Sequence, residues 1–311
     1  LTKPSADENG FSPEQLSTEI RLTAEDIESE INDKRSYAMT RMLETMCADE
    51  IYGLTKNEIL ENVKKVTPQS LLAAWKFMLK NGIIQLNAIG NISEDDCKKK
   101  LREAFSDVGE RTPYEPETVF VEEAEDLTEL TEELTMNQSK LVLGFRGGMT
   151  DENDDFYSRR IMTDVFGGGP YSRLFMNVRE KLSLCYYCSA RLIRGKGIIV
   201  IQSGIEKENR QKVLDEINRQ LDIMKNGEFS DEDFEASKKA ICDAYRSFND
   251  TPDALDIYYG TQLTGDIVTP DEAIENFLAV TRDDVKKTAC ALSLDTVYML
   301  AGTDKEDGAD E

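Results

Sequence analysis

Residues 167–187, GGGPYSRLFMNVREKLSLCYY, run from a glycine-rich turn through a basic helix to a tyrosine pair entering a strand. Each half suggests a chemistry that its context rejects. Three glycines beside a helix look like a phosphate loop, but no G-K-[ST] follows to bring a lysine and a magnesium-binding hydroxyl to a triphosphate. The turn also follows a helix and not a strand, so the dinucleotide fingerprint fails as well. Its plain role is to let the backbone turn where side chains would clash. Cys185-Tyr-Tyr-Cys188 has CxxC spacing, yet positions three apart in a strand point to opposite faces, which makes a shared disulfide or metal awkward. No second CxxC and no histidine completes a zinc site.

Arg179 and Tyr186 remain. They sit seven residues apart, on either side of a helix-to-strand transition, so both can face one cleft. A guanidinium and a phenol are directed donors that need no titration near neutral pH, and they suit a peptide carbonyl or carboxylate. Read plainly, Arg179 is a helix-end surface arginine beside Glu180, and Tyr186 is a half-buried strand tyrosine. The residues alone leave both readings open.

The totals narrow the field. The 311 residues suffice for two ordinary domains. A formal charge of −24 argues against nucleic acid, whose affinity depends on clustered Lys and Arg. No apolar run is long enough to span a bilayer, so no membrane partner is expected. Six cysteines without scaffold-like spacing suit free thiols in a reducing compartment such as the cytoplasm. With no histidine in the chain, neither a Ser-His-Asp nor a Cys-His nucleophile pair exists, nor a histidine-ligated zinc. The 61 acids leave a carboxylate pair open without pointing to one.

An internal repeat organises the rest. Phe11-Ser-Pro-Glu-Gln-Leu16 matches Phe229-Ser-Asp-Glu-Asp-Phe234, both loops entering a Ser-capped helix. VTPQSLL (66–72) matches VTRDDVK (280–286), each a Thr-capped start. IIQLNAIGN (83–91) then matches TVYMLAGT (296–303), each a β-type stretch ending in glycine. The second copy carries about ninety residues before its Phe229 landmark and the first only ten before Phe11. The expected organisation is therefore the C-terminal half of a first domain (1–110), an acidic joint (111–135), a complete second domain (136–303) and a disordered acidic tail (304–311). From Glu115 to Leu134 the joint holds nine acids and no Lys or Arg, which reads as a solvated, partly extended linker.

Periodicity predicts a long helix over 12–46 broken near Asn32-Asp33, and a helix over 68–80 with its apolar face at Leu71, Leu72, Trp75 and Leu79. A strand over 83–89 and a helix over 93–106 follow. Beyond the joint come a strand over 140–145, a helix over 153–166, a helix near 171–182, strands near 184–194 and 197–205, and a helix over 207–225. Strands and helices do not alternate strictly, so a mixed α+β sandwich fits better than a doubly wound sheet.

The pattern G-G-G-P-x-S-R-L-F-x-x-V-R-E-K-x-S-L-x-Y at 167–186 resembles the second-domain signature of the M16 zinc peptidases, the pitrilysin and mitochondrial processing peptidase group. The likeness continues through Ser203-Gly204-Ile205, Gly227-x-Phe229 and the VT helix start. Ser183 stands where many members have glycine, which resembles a bacterial M16-like branch whose members are often non-catalytic. The resemblance implies an α+β fold of two homologous M16 sandwich domains, the first lacking its front half here, in a half-clam that pairs with a second half around a peptide chamber. It implies that Arg179 and Tyr186 bind substrate. It also implies zinc held by H-x-x-E-H in the active members, where the metal activates water and a glutamate acts as base. No such motif and no cofactor are read in this chain, whose catalytic set is therefore read as empty. Glu19 matches the third-ligand position, with diverged flanks and without partner histidines. Three readings follow: a non-catalytic chain that binds extended peptide and assists a homologous M16 subunit, a fragment of an active zinc peptidase, or a scaffold without proteolysis.

Overall fold

The computed structural model describes residues 2–115, 119–147, 155–262 and 267–303. The tail read at 304–311 and the first residues of the helix read from 153 lie outside them. A two-residue hairpin, β1 (Ala6–Asp7) and β2 (Gly10–Phe11), leads into α1 (Pro13–Ser29), α2 (Lys34–Met46), α3 (Lys56–Val63), α4 (Pro68–Asn81) and α5 (Glu94–Phe105). Next come β3 (Thr128–Thr135), β4 (Ser139–Arg146), α6 (Phe156–Gly167), a π-helical segment (Phe175–Lys181), β5 (Cys185–Ile193) and β6 (Ile198–Ile205). The chain closes with α7 (Arg210–Asn226), α8 (Asp231–Ser247), α9 (Pro252–Gly260), α10 (Pro270–Ala279), α11 (Arg282–Cys290) and β7 (Ser293–Thr303).

The repeat is visible in the helix ends. Thr67 and Thr281 open α4 and α11 with the same reciprocal capping box, closed by Ser70 in one and Asp284 in the other. α1 and α8 are both 17 residues long. Each runs into a three-residue 3₁₀ turn, Glu30–Asn32 or Phe248–Asp250, and then into a capped helix. Asp33 caps α2 by accepting from the Arg35 and Ser36 N–H groups, and Thr251 caps α9 by accepting from Ala254 N–H. The break expected near Asn32-Asp33 is this cap.

The chain folds into two compact units that do not follow its order. Unit 1 gathers Leu1–Ser29, Lys56–Glu117 and Ala244–Ala273; unit 2 gathers Glu30–Thr55, Thr118–Asp243 and Ile274–Glu311. The exchange is reciprocal. α2, which follows the first long helix, belongs to unit 2, and α9, which follows the second, belongs to unit 1.

Unit 2 is built on a five-stranded sheet in the order β3-β7-β4-β6-β5, with β3 parallel to β7 and the remaining pairs antiparallel. One face is covered by α2. Ala38, Met42, Met46 and Cys47 pack there on Val142, Ile198, Val200, Tyr298 and Leu300. Gly144 makes the approach possible, since a Cβ there would lie 2.5 Å from Met46 Sδ and 2.8 Å from Met42 Sδ. The alternate strand residues Leu141, Leu143, Phe145, Ile199 and Ile201 are buried toward the other face. α6 packs over β5, and α11 packs on α6 and α7. A buried ion network ties one end of the sheet: Arg146 binds Asp295 (2.8 Å), Glu50 (3.1 Å) and the Met46 carbonyl (2.5 Å), while Lys196 binds Glu50 and the Val119 carbonyl. The last eight residues of the acidic stretch form the outer strand β3.

Unit 1 contains the β1–β2 hairpin and otherwise helices among the described residues. Residues 111–114 run beside the end of α4, where the Thr112 N–H donates to the Lys80 carbonyl and Arg111 to the Leu79 carbonyl. An aromatic cluster of Tyr245, Phe248, Tyr258 and Tyr259 gathers around α9. Leu72 and Leu79 of the expected α4 stripe are buried, but Leu71 is exposed. The strand expected over 83–89 does not form. Its counterpart β7 is held by β3 and β4 on either side, and no such strands stand beside 83–89 among the described residues of unit 1. A β-type sequence without partners cannot close its hydrogen bonds as a strand.

Candidate functional site

The stretch 167–187 leads into β5, at one side of the unit 2 sheet. The first glycine of the turn is needed for close approach and not for an unusual torsion: a Cβ on Gly167 would lie 2.6 Å from the Ala190 nitrogen in β5. Beyond the turn the helix widens into seven residues of π-helix carrying Arg179, a rare geometry that often marks functional positions. The helix ends through Ser183, whose φ of 50° lies in the left-handed region. Its N–H donates to the Arg179 carbonyl, and the Leu184 N–H donates to the Val178 carbonyl. This is the C-terminal stop that glycine makes most readily, which explains physically why glycine suits the position and why serine there is a departure.

β5 enters with a bulge. Cys185 pairs with Ile205 and Tyr187 with Gly204, so Tyr186 is the extra residue. This corrects the reading of the CxxC. The bulge advances the phase by one, so Cys185 and Cys188 fall on the same face, and both are buried. The Cys188 thiol donates to the Cys185 sulfur, which lowers the Cys185 pKa, while Cys188 is raised by this bond and by burial. All six cysteines are free.

Tyr186 stands out from the bulge, 59% exposed, and its hydroxyl donates to Glu206 Oε1 at 2.6 Å. That hydrogen bond, followed by the carboxylate charge, raises the phenol pKa. Arg179 stacks on the Phe175 ring (4.6 Å to the centroid) and its Nε lies 3.6 Å from Glu180. Its charge reaches Cys185, where it favours the thiolate. The fold thus places Tyr186 in the bulge that opens β5 and Arg179 in the helix before it, each engaged with its own acidic neighbour. Among the described residues no hydrogen bond joins the two. Sequence reading missed Glu206, because it is brought to Tyr186 by the β5–β6 pairing across twenty residues.

Glu19 lies on the exposed side of α1 in unit 1. It lines an open cleft of about 650 Å³ with Phe11, Glu14, Leu16 and Leu71. These residues do not suit zinc: the chain has no histidine, and among the described residues no group of three or more Cys, Asp and Glu could hold a metal ion. No described helix is long and apolar enough to cross a membrane.

The two outer strands of the sheet differ. β3 carries Glu129, Glu132 and Glu133, each held by a cation: Arg210 at 2.5 Å, Arg41 at 2.7 Å and Lys207 at 2.9 Å. β5 carries no acid, and among the described residues its side away from β6 takes no other strand. A free strand edge next to directed donors is a surface to which an extended chain can add.

Known proteins share the family signature and the fold. The family model described as peptidase M16 inactive domain matches residues 65–241. A probable inactive metalloprotease of Bacillus subtilis (strain 168), YmfF, is 29% identical over 305 residues, spanning 97% of this chain and 71% of that protein. The crystal structure of a conserved protein from Enterococcus faecalis V583 superposes with a TM-score of 0.84 at 25% identity, covering 98% of this chain and 72% of that one. An M16 inactive domain from Pseudomonas fluorescens shares the fold, with a TM-score of 0.76 at 14% identity and coverage of 95% and 73%.

Proposed function

The chain belongs to the peptidase M16 inactive-domain family, and on that premise we propose that it is a non-catalytic member that binds extended peptide and presents it to a homologous, zinc-bearing M16 subunit. The observation that carries this is the outer edge of β5, which pairs with β6 alone among the described residues and opens with the bulge at Tyr186, shortly after the helix bearing Arg179. Peptide main chain pairs with the edge, while the guanidinium and phenol orient the segment next to the bond to be cut. The hydrolytic groups belong to the partner, since histidine is absent here. We also take residues 1–110 as the C-terminal half of a first M16 domain and 136–303 as a complete second one, and a reducing, cytoplasmic setting as the one that suits six free thiols.

One observation favours a second reading, an interaction protein without proteolysis: Arg179 and Tyr186 already have acidic neighbours within the chain. The two readings separate when the chain is mixed with an H-x-x-E-H homologue and peptide cleavage is followed. The first expects cleavage to rise on mixing and to fall roughly tenfold or more with Arg179→Ala, the size of a lost charge-assisted hydrogen bond. Complex formation with unchanged cleavage would leave the scaffold reading. Cleavage insensitive to both Arg179→Ala and Tyr186→Phe would remove these residues from the site.

A further inference from the structure

We propose that the β5 edge selects acidic peptide segments; this rests on reading β5 as the peptide-binding edge. The reason lies in how charge is distributed along one sheet. Between Tyr171 and Glu206 the chain carries six cations (Arg173, Arg179, Lys181, Arg191, Arg194 and Lys196) and two acids, Glu180 and the Glu206 bonded to Tyr186, within a protein of net charge −24.

The six are not equally engaged. Lys196 is buried against Glu50, and Arg173 donates to Gln220 at 2.9 Å with Asp233 at 3.7 Å. Arg194 lies over the Phe156 ring at 3.9 Å. Lys181 donates to the Asn177 amide oxygen at 3.0 Å and has no carboxylate in an ion pair among the described residues. Arg191, on β5 itself, is exposed and likewise forms no ion pair there. The opposite edge shows what a closed account looks like, since every β3 glutamate has its own cation. On β3 the charges are matched within the chain; on β5 Arg191 is exposed and has no ion pair among the described residues.

Strand geometry says where an added peptide meets them. Tyr187, Ser189 and Arg191 alternate onto one face of β5, the face on which Arg35 stacks over Tyr187 and donates to Ser189. A strand laid along the edge sets its own alternate side chains beside these, so an acid placed there meets Arg191 as a cross-strand pair. Lys181 and Arg179 continue the run of cations along the chain, on the side of the bulge away from Arg191. The rest of the acidic surface repels an acidic peptide, which confines it to these cations.

The test uses the intact chain and three labelled ten-residue peptides of one β-prone sequence, with Glu, Gln or Lys at alternate positions, followed by fluorescence anisotropy at physiological salt. The Glu peptide is expected to bind about fivefold tighter than the Gln peptide for each cation engaged, with the Lys peptide weakest. Arg191→Glu is expected to weaken the preference for the Glu peptide, and Arg191→Glu with Lys181→Glu, both exposed changes checked by circular dichroism for an unaltered fold, to abolish or invert it. Equal binding of all three peptides overturns the charge selection and leaves the peptide-edge reading standing. No binding of any peptide overturns both, and makes the cations a guard against edge-to-edge association. Selective binding that survives Arg191→Glu with Lys181→Glu places the site elsewhere and overturns the proposal, as does a concentration-dependent dimer abolished by the same pair, which would make a second copy the occupant.

Discussion

The same run of elements, a 17-residue helix, a three-residue turn and a capped helix, occurs twice, and its two final helices meet different fates. In unit 2, α2 lies on a sheet, with Ala38 and Met42 fully buried. In unit 1, α9 buries Tyr258 in an aromatic cluster and leaves Ile257 66% exposed. The local sequence signals are alike, down to the Asp33 and Thr251 caps. What differs is the sheet. The lesson is that capping and periodicity settle where helices begin, whereas what they bury is settled by strands arriving from elsewhere in the chain.

The comparison can be broken most forcefully at Glu50. Replacing it by Ala leaves Arg146 and Lys196 buried without their shared carboxylate, an expected cost of about 3–5 kcal/mol in denaturant unfolding. The exposed Arg21–Glu25 pair of unit 1 is expected to contribute less than ~1 kcal/mol when either residue is changed. Similar losses at both places would mean that the two units are equally well supported. Next in size, Met42→Ala should destabilise by about 2–5 kcal/mol, as for other buried large-to-small changes. Ile257→Ala at the exposed face of α9 should stay within about 0.5 kcal/mol. A large loss at Ile257 would show that α9 is covered as α2 is.

Smaller effects sharpen the likeness of the copies. Thr67→Ala and Thr281→Ala each remove a reciprocal cap, at about 1 kcal/mol apiece. If the boxes are equivalent the two losses agree, measured as separate changes in unfolding midpoint. The smallest effect is confined to β5. Glu206 holds the Tyr186 phenol in its protonated form, so the phenol ionises above its ordinary pH. Glu206→Gln should bring that ionisation down toward the ordinary tyrosine value, read by ultraviolet titration against a Tyr186→Phe control. An unmoved titration would show that the pair is not made in solution.

Much of this was legible beforehand. Thr67, Thr281 and Asp33 carry their capping chemistry in the side chain itself, and the runs around β4, β5 and β6 are apolar enough to declare themselves. The misses share a cause. Residues 83–89 have the composition of a strand but not the neighbours. TELTEELT has the partners but hides them: Thr128 pairs with Thr296, far outside any local window, and the acids that mark it as linker are neutralised by Arg41, Lys207 and Arg210 from other elements. At the candidate site, Arg179 and Tyr186 could be singled out by type and motif. The bulge could not, since a one-residue shift in register leaves no trace in composition. That shift put Cys185 and Cys188 on one face and turned Tyr186 outward.

The exchanged helix has a consequence for biosynthesis. Met42 and Met46 leave the ribosome long before Tyr298 and Leu300, the last residues they must meet. At about 5–20 residues per second, the wait is on the order of 10–50 s. Throughout that interval the floor of this methionine-rich stripe lacks its last strand, so part of the stripe stays uncovered until β7 is translated. A ribosome stalled before β7 would release a polypeptide in which the apolar face of α2 is still partly bare.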